Sequence, residues 1–316
     1  MSNEQINNAP EAVELKSKQH PKLQEFLFSL KRFLKNPLSI IGLTIILSFA
    51  LIAIFAPVIA PPYKPDNPYM IPHDGWTQEP QPPSIENPLG TMPEQYDIFY
   101  GMVWGTRNAF YIGFFITFFN LIIGLTIGTI AGYFGGIIDE ILMRIVDLFY
   151  ALPFLVVAMA LVVVIGRGLQ SIILVYIILG WRQYARIIRS EILILRDKDY
   201  IQAAKASGAS HLRIIFSHIL PNSIFSVLIV ASMSVGSVIL GAAALSFLGL
   251  GSGVGYADWG TIVSTCRDFI VGPPGNRLAY WFLVFTPGFV ISLFVLGWNL
   301  LGDAVRDVFD PKMRRK

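Results

Sequence analysis

Apolar residues fall in long unbroken runs along this chain, and charged ones gather between them. A helix needs roughly twenty mostly apolar residues to cross a bilayer core, because in lipid its backbone polar groups find partners only within the segment. Residues 38–60, 109–133 and 278–301 are long enough and carry no charge. Residues 148–165 nearly suffice, and reach full length when extended back through Arg144 and Asp147 at the interface. Residues 169–181 are the shortest run, with Arg182 and Arg186 at their end. Residues 219–257 are uncharged, but their Gly-rich end at 249–255 predicts a loop or re-entrant segment after a single helix. The pattern predicts an all-α integral membrane protein with six transmembrane helices.

Other periodicities divide the rest. Residues 1–20 are polar and aperiodic, predicting a tail. Leu23, Phe26, Leu27, Leu30, Phe33 and Leu34 recur at helical spacing among lysines, as in a helix lying in the membrane interface or packed on protein. The expected organisation is a tail with this helix over 1–36, a first span over 37–60, a Pro-rich extracytoplasmic loop over 61–106, five helices over 107–303 and a second tail over 304–316. The first apolar run follows a long tail and lacks a small-x-small cleavage site, so it reads as a retained span and not a secretory signal. The loop carries Asp66, Asp74, Glu79, Glu86, Glu94 and Asp97 and predicts a compact cap; a second outer segment, 249–277, predicts a turn at Pro273–Asn276.

Charge placement tests the count. With the first tail inside, all of the 24 basic residues except Lys64, Arg107, Arg167, Arg267 and Arg277 fall on the inner side. Lys and Arg favour cytoplasmic loops, so an even number of crossings with both termini cytoplasmic is expected, in the cell membrane. Composition agrees: 54% of residues are hydrophobic, 14% are charged and the mean hydropathy is +0.58. A soluble domain has about a quarter of its residues charged, so lipid is part of this chain's solvent. The net charge of +3 comes from residues beside apolar runs, which fits membrane topology and not nucleic acid. The single cysteine, Cys266, excludes an internal disulfide framework.

Sequence signals for covalent chemistry are missing. No Gly-Lys-Ser/Thr phosphate loop occurs, no Gly-x-Ser-x-Gly turn occurs, and His20, His73, His211 and His218 lack metal-ligand spacing. The expected chain is no enzyme and binds no cofactor or metal itself. Ionisable residues at mid-membrane depth usually mark ion coupling. Here Asp139, Glu140, Arg144 and Asp147 cluster at the start of the third span, where Arg144 and Asp147 are spaced to pair at i, i+3. A self-sufficient ion-coupled transporter therefore fits poorly, and a driving force would come from another subunit. Gly124, Gly128 and Gly132 put three bare positions on one helix face, a packing signal. Phe110, Phe114 and Phe118, beside Phe115 and Phe119, form a stripe suited to lipid, core packing or a conduit.

Residues 199–222, DYIQAAKASGASHLRIIFSHILPN, are the most informative stretch. They predict a short helix through Ala203 and Ala204, a break at Gly208, and a second helical piece through Leu212, Ile214, Ile215 and Ile219 that stops at Pro221. Periodicity alone allows a rigid knob or a connector resting on lipid headgroups. The segment resembles the EAA loop of type I ABC importer permeases, with Ala203, Ala204, Gly208 and the run His218, Leu220, Pro221 and Asn222 at that family's spacing. The stretches AALSFLGLG at 243–251, NLLGDAVRDVFDP at 299–311, KNPLSIIGL at 35–43 and PLGT at 88–91 resemble the C-type membrane subunit of dipeptide and oligopeptide permeases, as do Asp258–Gly260 and Pro287–Gly288.

That resemblance implies a type I permease fold and a loop that docks on a separate ATPase, with Tyr200, Gln202, Ala203, Ala204, Lys205, Gly208 and Leu212 as docking residues. It implies as partners a homologous second permease subunit, one or two cytoplasmic ABC ATPase subunits holding ATP and Mg, and an extracytoplasmic solute-binding protein. Peptide is the implied cargo, with oligosaccharide or a metal complex as alternatives in the same class. Two positions depart from the family. Gln202 stands where a glutamate is usual, and after PLGT the chain has Met92, Gln95 and Tyr96 in place of an acidic, Gly-Arg-Asp-containing run.

Overall fold

The computed structural model describes residues 33–309 and is helical throughout its membrane part. The amphipathic stretch expected over residues 23–34 and the last tail lie largely outside the described residues. Helix α1, Pro37–Ile59, starts where the Asn36 side chain accepts from Leu38 N at 3.0 Å and proline fills the first turn, whose N–H needs no partner. Helix α2, Ile98–Phe134, starts at Ile98 and not at Ala109, because Asp97 caps it by accepting from Phe99 N at 2.8 Å. Its early turns are buried: Tyr100, Trp104 and Asn108 donate to the carbonyls of Pro68, Ala60 and Ala257.

The third span departs from expectation. Residues 148–165 are not one helix: α3, Gly136–Ala151, and α4, Phe154–Ile165, meet at 89°. Pro153 removes a donor and forces Leu152 out of the helical region, to φ −85° and ψ 131°. Alone, the 12 residues of α4 span roughly 18 Å, short of a bilayer core. Arg144 and Asp147 do not pair either. Arg144 approaches Glu140 at 3.9 Å, while Asp147 meets Arg186 at 2.6 Å and Asp139 takes a two-point hydrogen bond from Arg189 at 2.5 and 2.6 Å. These cross-helix pairs fasten α3 to α6.

The fourth span is longer than its apolar run. Helices α5, Leu169–Gly180, and α6, Arg182–Arg196, follow one path interrupted by a turn at Trp181. Helix α7, Asp199–Ala206, leads into α8, His211–Leu250, which passes straight through Pro221. A π-helical turn at Ile215–Ile219 precedes that proline, and its wider backbone absorbs the missing donor that was expected to end the helix. A loop follows Leu250, and then a short helix that periodicity did not predict, α9, Trp259–Cys266, capped by Asp258, which accepts from the Thr261 hydroxyl at 2.7 Å. Trp259 is buried against Phe49 and Phe294, and its indole donates to Met102 O. Helix α10, Trp281–Phe309, completes the bundle.

Among the described residues, five helices are long and apolar enough to cross a membrane, and the bent α3–α4 pair makes a sixth crossing if it counts as one. This is a multi-pass membrane protein. At one end of the bundle the Pro-rich loop packs on the segment before α9, through a bridge between Met70 and Tyr256 and a bond from Ile71 N to Gly255 O at 2.8 Å. At the other end lie α3, α7, the end of α2, and the start of α1, where Gly42 faces Leu300 and Leu301 of α10.

Candidate functional site

The segment linking α6 to α8 has the local signals of a short, rigid excursion. Helix α6 stops at Arg196, α7 turns back with Ile201 as its fully buried anchor, and Gly208 adopts φ +78°, a left-handed conformation that other residues adopt at a cost. Ser210 then caps α8, accepting from Arg213 N. Ile201 packs with Ile192, Ile214 and Tyr133, and Ala204 turns half inward onto the same cluster. The outward side carries Tyr200, Gln202, Ala203, Lys205, Gly208 and Leu212, all exposed. Of the two adjacent alanines, Ala203 is thus the one available to a neighbour.

Polar ties hold α7 at its angle. The Gln202 amide donates to Arg196 O at 3.0 Å, a bond that a glutamate in its place could not donate. The Arg196 guanidinium donates to Gly132 O at 3.1 Å, fastening the end of α6 to the end of α2. Tyr133 Oη and His211 Nδ1 are hydrogen-bonded at 2.8 Å, and Lys205 Nζ lies 5.7 Å from the centre of the Tyr133 ring. Sequence reasoning passed over Tyr133, Arg196 and His211, since each acts on a residue distant in sequence. It also passed over Phe216, 65% exposed one turn after Leu212, which is 69% exposed. Helical spacing from Leu212 was the signal that could have found it.

The base of this excursion is firm. Gly124, Gly128 and Gly132 all face α6: a Cβ at Gly128 would overlap Ile188 and the Ala185 carbonyl, one at Gly124 would lie 2.8 Å from Trp181 O, and one at Gly132 3.0 Å from Ile192 Cβ. Only bare backbone lets the two helices come so close. The aromatic stripe of α2 divides: Phe110 packs edge-on to Phe294 of α10, whereas Phe114 and Phe118 are more than half exposed. Among the described residues, no three His, Cys, Asp or Glu side chains are placed to hold a metal ion. The arrangement offers a short helix with an exposed outer side, carried on a close-packed helix pair.

Comparison with known proteins agrees with this architecture. The profile of the binding-protein-dependent transport system inner membrane component family matches residues 124–315, and that of the N-terminal TM domain of oligopeptide transport permease C matches residues 27–83. The dipeptide transport system permease protein of Alkalihalophilus pseudofirmus is 41% identical over 285 residues, covering 90% of this chain and 89% of its own length. The oligopeptide transport system permease protein of Bacillus subtilis is 36% identical over 284 residues, covering 90% and 88%. An inward-facing structure of the MetNI methionine ABC transporter shares the fold at TM-score 0.53 and 20% identity, over 67% of this chain and 97% of that one. The bundle, its protruding helix and these matches together make the chain a member of the family of inner-membrane components of binding-protein-dependent transport systems.

Proposed function

We propose that this chain is a permease subunit of an ATP-driven importer and forms part of the membrane path for dipeptides and oligopeptides. The observation that carries the reading is α7: a short helix clipped between two membrane helices, buried on Ile201 and presenting Tyr200, Gln202, Ala203, Lys205 and Leu212 outward. Its relatives in other organisms are named for dipeptide and oligopeptide transport, which supports peptide as cargo. In this reading α7 docks on a cytoplasmic ATPase, and closure of paired ATPases on ATP and Mg moves it. A homologous second permease subunit completes the path, a solute-binding protein delivers peptide to the Pro-rich cap, and both termini lie in the cytoplasm with most of the basic residues.

The test is reconstitution in vesicles with the partner subunits. ATP-dependent uptake of a labelled dipeptide is expected. Uptake driven by an ion gradient without any ATPase would refute the reading. Gly208→Leu forces a side chain onto a left-handed backbone and is expected to reduce ATPase association and uptake while membrane insertion persists.

A further inference from the structure

We propose that Asn120 is a positioning residue of the transport cycle. It latches α5 to α2 across a pivot at Gly180–Trp181, about which α4 and α5 tilt against the α2–α6 pair that carries α7. The proposal rests on the importer reading above and adds a moving part within this chain.

Three observations lead to it. First, α2 and α6 meet along three turns at Gly124, Gly128 and Gly132, with Tyr184, Ile188 and Ile192 seated directly on the glycines. Such close-packed helices move as one body. Arg196, tied to Gly132 O, makes the start of α7 part of that body.

Second, the helical path through α5 and α6 is interrupted at Trp181, and side chains serve carbonyls on the α5 side of the break. The Trp181 indole donates to Ile178 O at 2.8 Å, the Arg182 guanidinium to Leu179 O, and the Asn120 amide to Tyr176 O at 3.3 Å. Substitute donors of this kind accompany breaks in the helix ladder, where helices bend. Trp181 and Arg182 act within their own segment; Asn120 alone of the three reaches over from another helix.

Third, Asn120 is built as a tie that can open. It is buried, a Cβ at Gly180 would overlap its amide, and so only glycine lets the amide lie on the α5 backbone. Its Oδ1 has no hydrogen-bond partner, nor has the buried Oγ1 of Thr117 one turn earlier. A half-satisfied interhelical bond is modest even inside a membrane, which suits a contact broken and remade in each cycle. Helix α5 packs on α4 through Ala158, Val162, Ile172 and Ile173, and the same apolar cluster continues to Ile112 and Ile116 of α2 and to Ala242, Leu245 and Leu250 of α8. Helices α4 and α5 would thus swing together by sliding on apolar faces, with Asn120 as the polar tie to α2.

The experiment is a distance measurement in the assembled transporter. In a Cys266→Ala background, spin labels are placed at Y111C on α2 and V164C on α4, both exposed positions. A swing of about 10–15° about Gly180, on an arm of roughly 16 Å, moves the far end of α5 by about 3–4 Å. That shift is expected between the nucleotide-free complex and the complex trapped with ATP and vanadate. Asn120→Leu should broaden the nucleotide-free distribution and lower peptide uptake per ATP hydrolysed about tenfold, with ATPase association unchanged. An unchanged separation in a complex that does import peptide overturns the pivot. Native width and native coupling in Asn120→Leu overturn the latch. If no ATP-driven uptake occurs, the importer reading itself fails, and the width measured in the purified chain alone still decides the latch.

Discussion

Tyr133 and His211 meet at 2.8 Å, joining the last turn of α2 to the first turn of α8 at the base of the protruding α7. The bond closes a bracket around α7, whose Lys205 also lies over the Tyr133 ring. Tyr133→Phe keeps the ring and removes the hydroxyl. A bond of this kind is worth about 1 kcal/mol, so uptake per ATP should fall about fivefold while the purified chain melts within a few degrees of the parent. Parallel uptake and ATPase assays on the reconstituted complex check this, and an unchanged ratio would show that the bracket is not used in coupling.

The three glycines of α2 should differ in tolerance. Alanine at Gly128 overlaps both a side chain and backbone of α6, whereas at Gly132 the nearest atom is 3.0 Å away and is side chain. Overpacking of this kind costs about 1–3 kcal/mol, so Gly128→Ala should lower the thermal midpoint markedly and Gly132→Ala only slightly. Thermal unfolding in detergent reads the order, and a reversal would mean the helices separate easily.

The ion pairs of α3 should also rank. Asp139 and Arg189 make a two-point bond with side chains 15% and 30% exposed, while Arg144 and Glu140 are exposed and 3.9 Å apart. Asp139→Ala is expected to cost about 2–3 kcal/mol and Glu140→Ala less than about 0.5 kcal/mol. Equal melting of the two variants would remove Asp139 as the fastener of α3.

Asp97 gives a pH dependence. Burial pushes its carboxyl up, with Asp74 adding to the effect, while bonds from the backbone N–H groups of Phe99 and Tyr100 oppose it. The folded chain then holds this proton to higher pH than the unfolded chain, so stability is greater in acid and falls as pH rises through the interval between the two values. Asp97→Asn keeps the capping oxygen without the charge. Its melting temperature should exceed the parent's near neutral pH, and the gap should close as the pH is lowered.

The spans were legible because lipid imposes a length and a composition on any helix that crosses it. Pro221 and Pro153 show where such reading ends. Both look alike as helix breakers in sequence, yet α8 runs through one on a π turn and the chain bends by 89° at the other. Helix α9 was hidden because its eight residues are too few for an apolar repeat, and the burial of Trp259 comes from three other helices. The handle at 199–222 was legible through its residues, but its inner side was not. Ile201 and Ala204 face inward only because Ile192, Ile214 and Tyr133 converge there.

By itself the sequence determined a membrane bundle with a short helix and a glycine break between two of its spans, since apolar run length and glycine placement are local properties. Only the tertiary structure decided which charges neutralise each other, which carbonyls borrow side-chain donors, and where α5 gives way to α6. Asp139 finds Arg189 and Asn120 finds Tyr176 across more than forty residues. Electrostatics and hydrogen bonding act through space, and the path of the chain sets those distances.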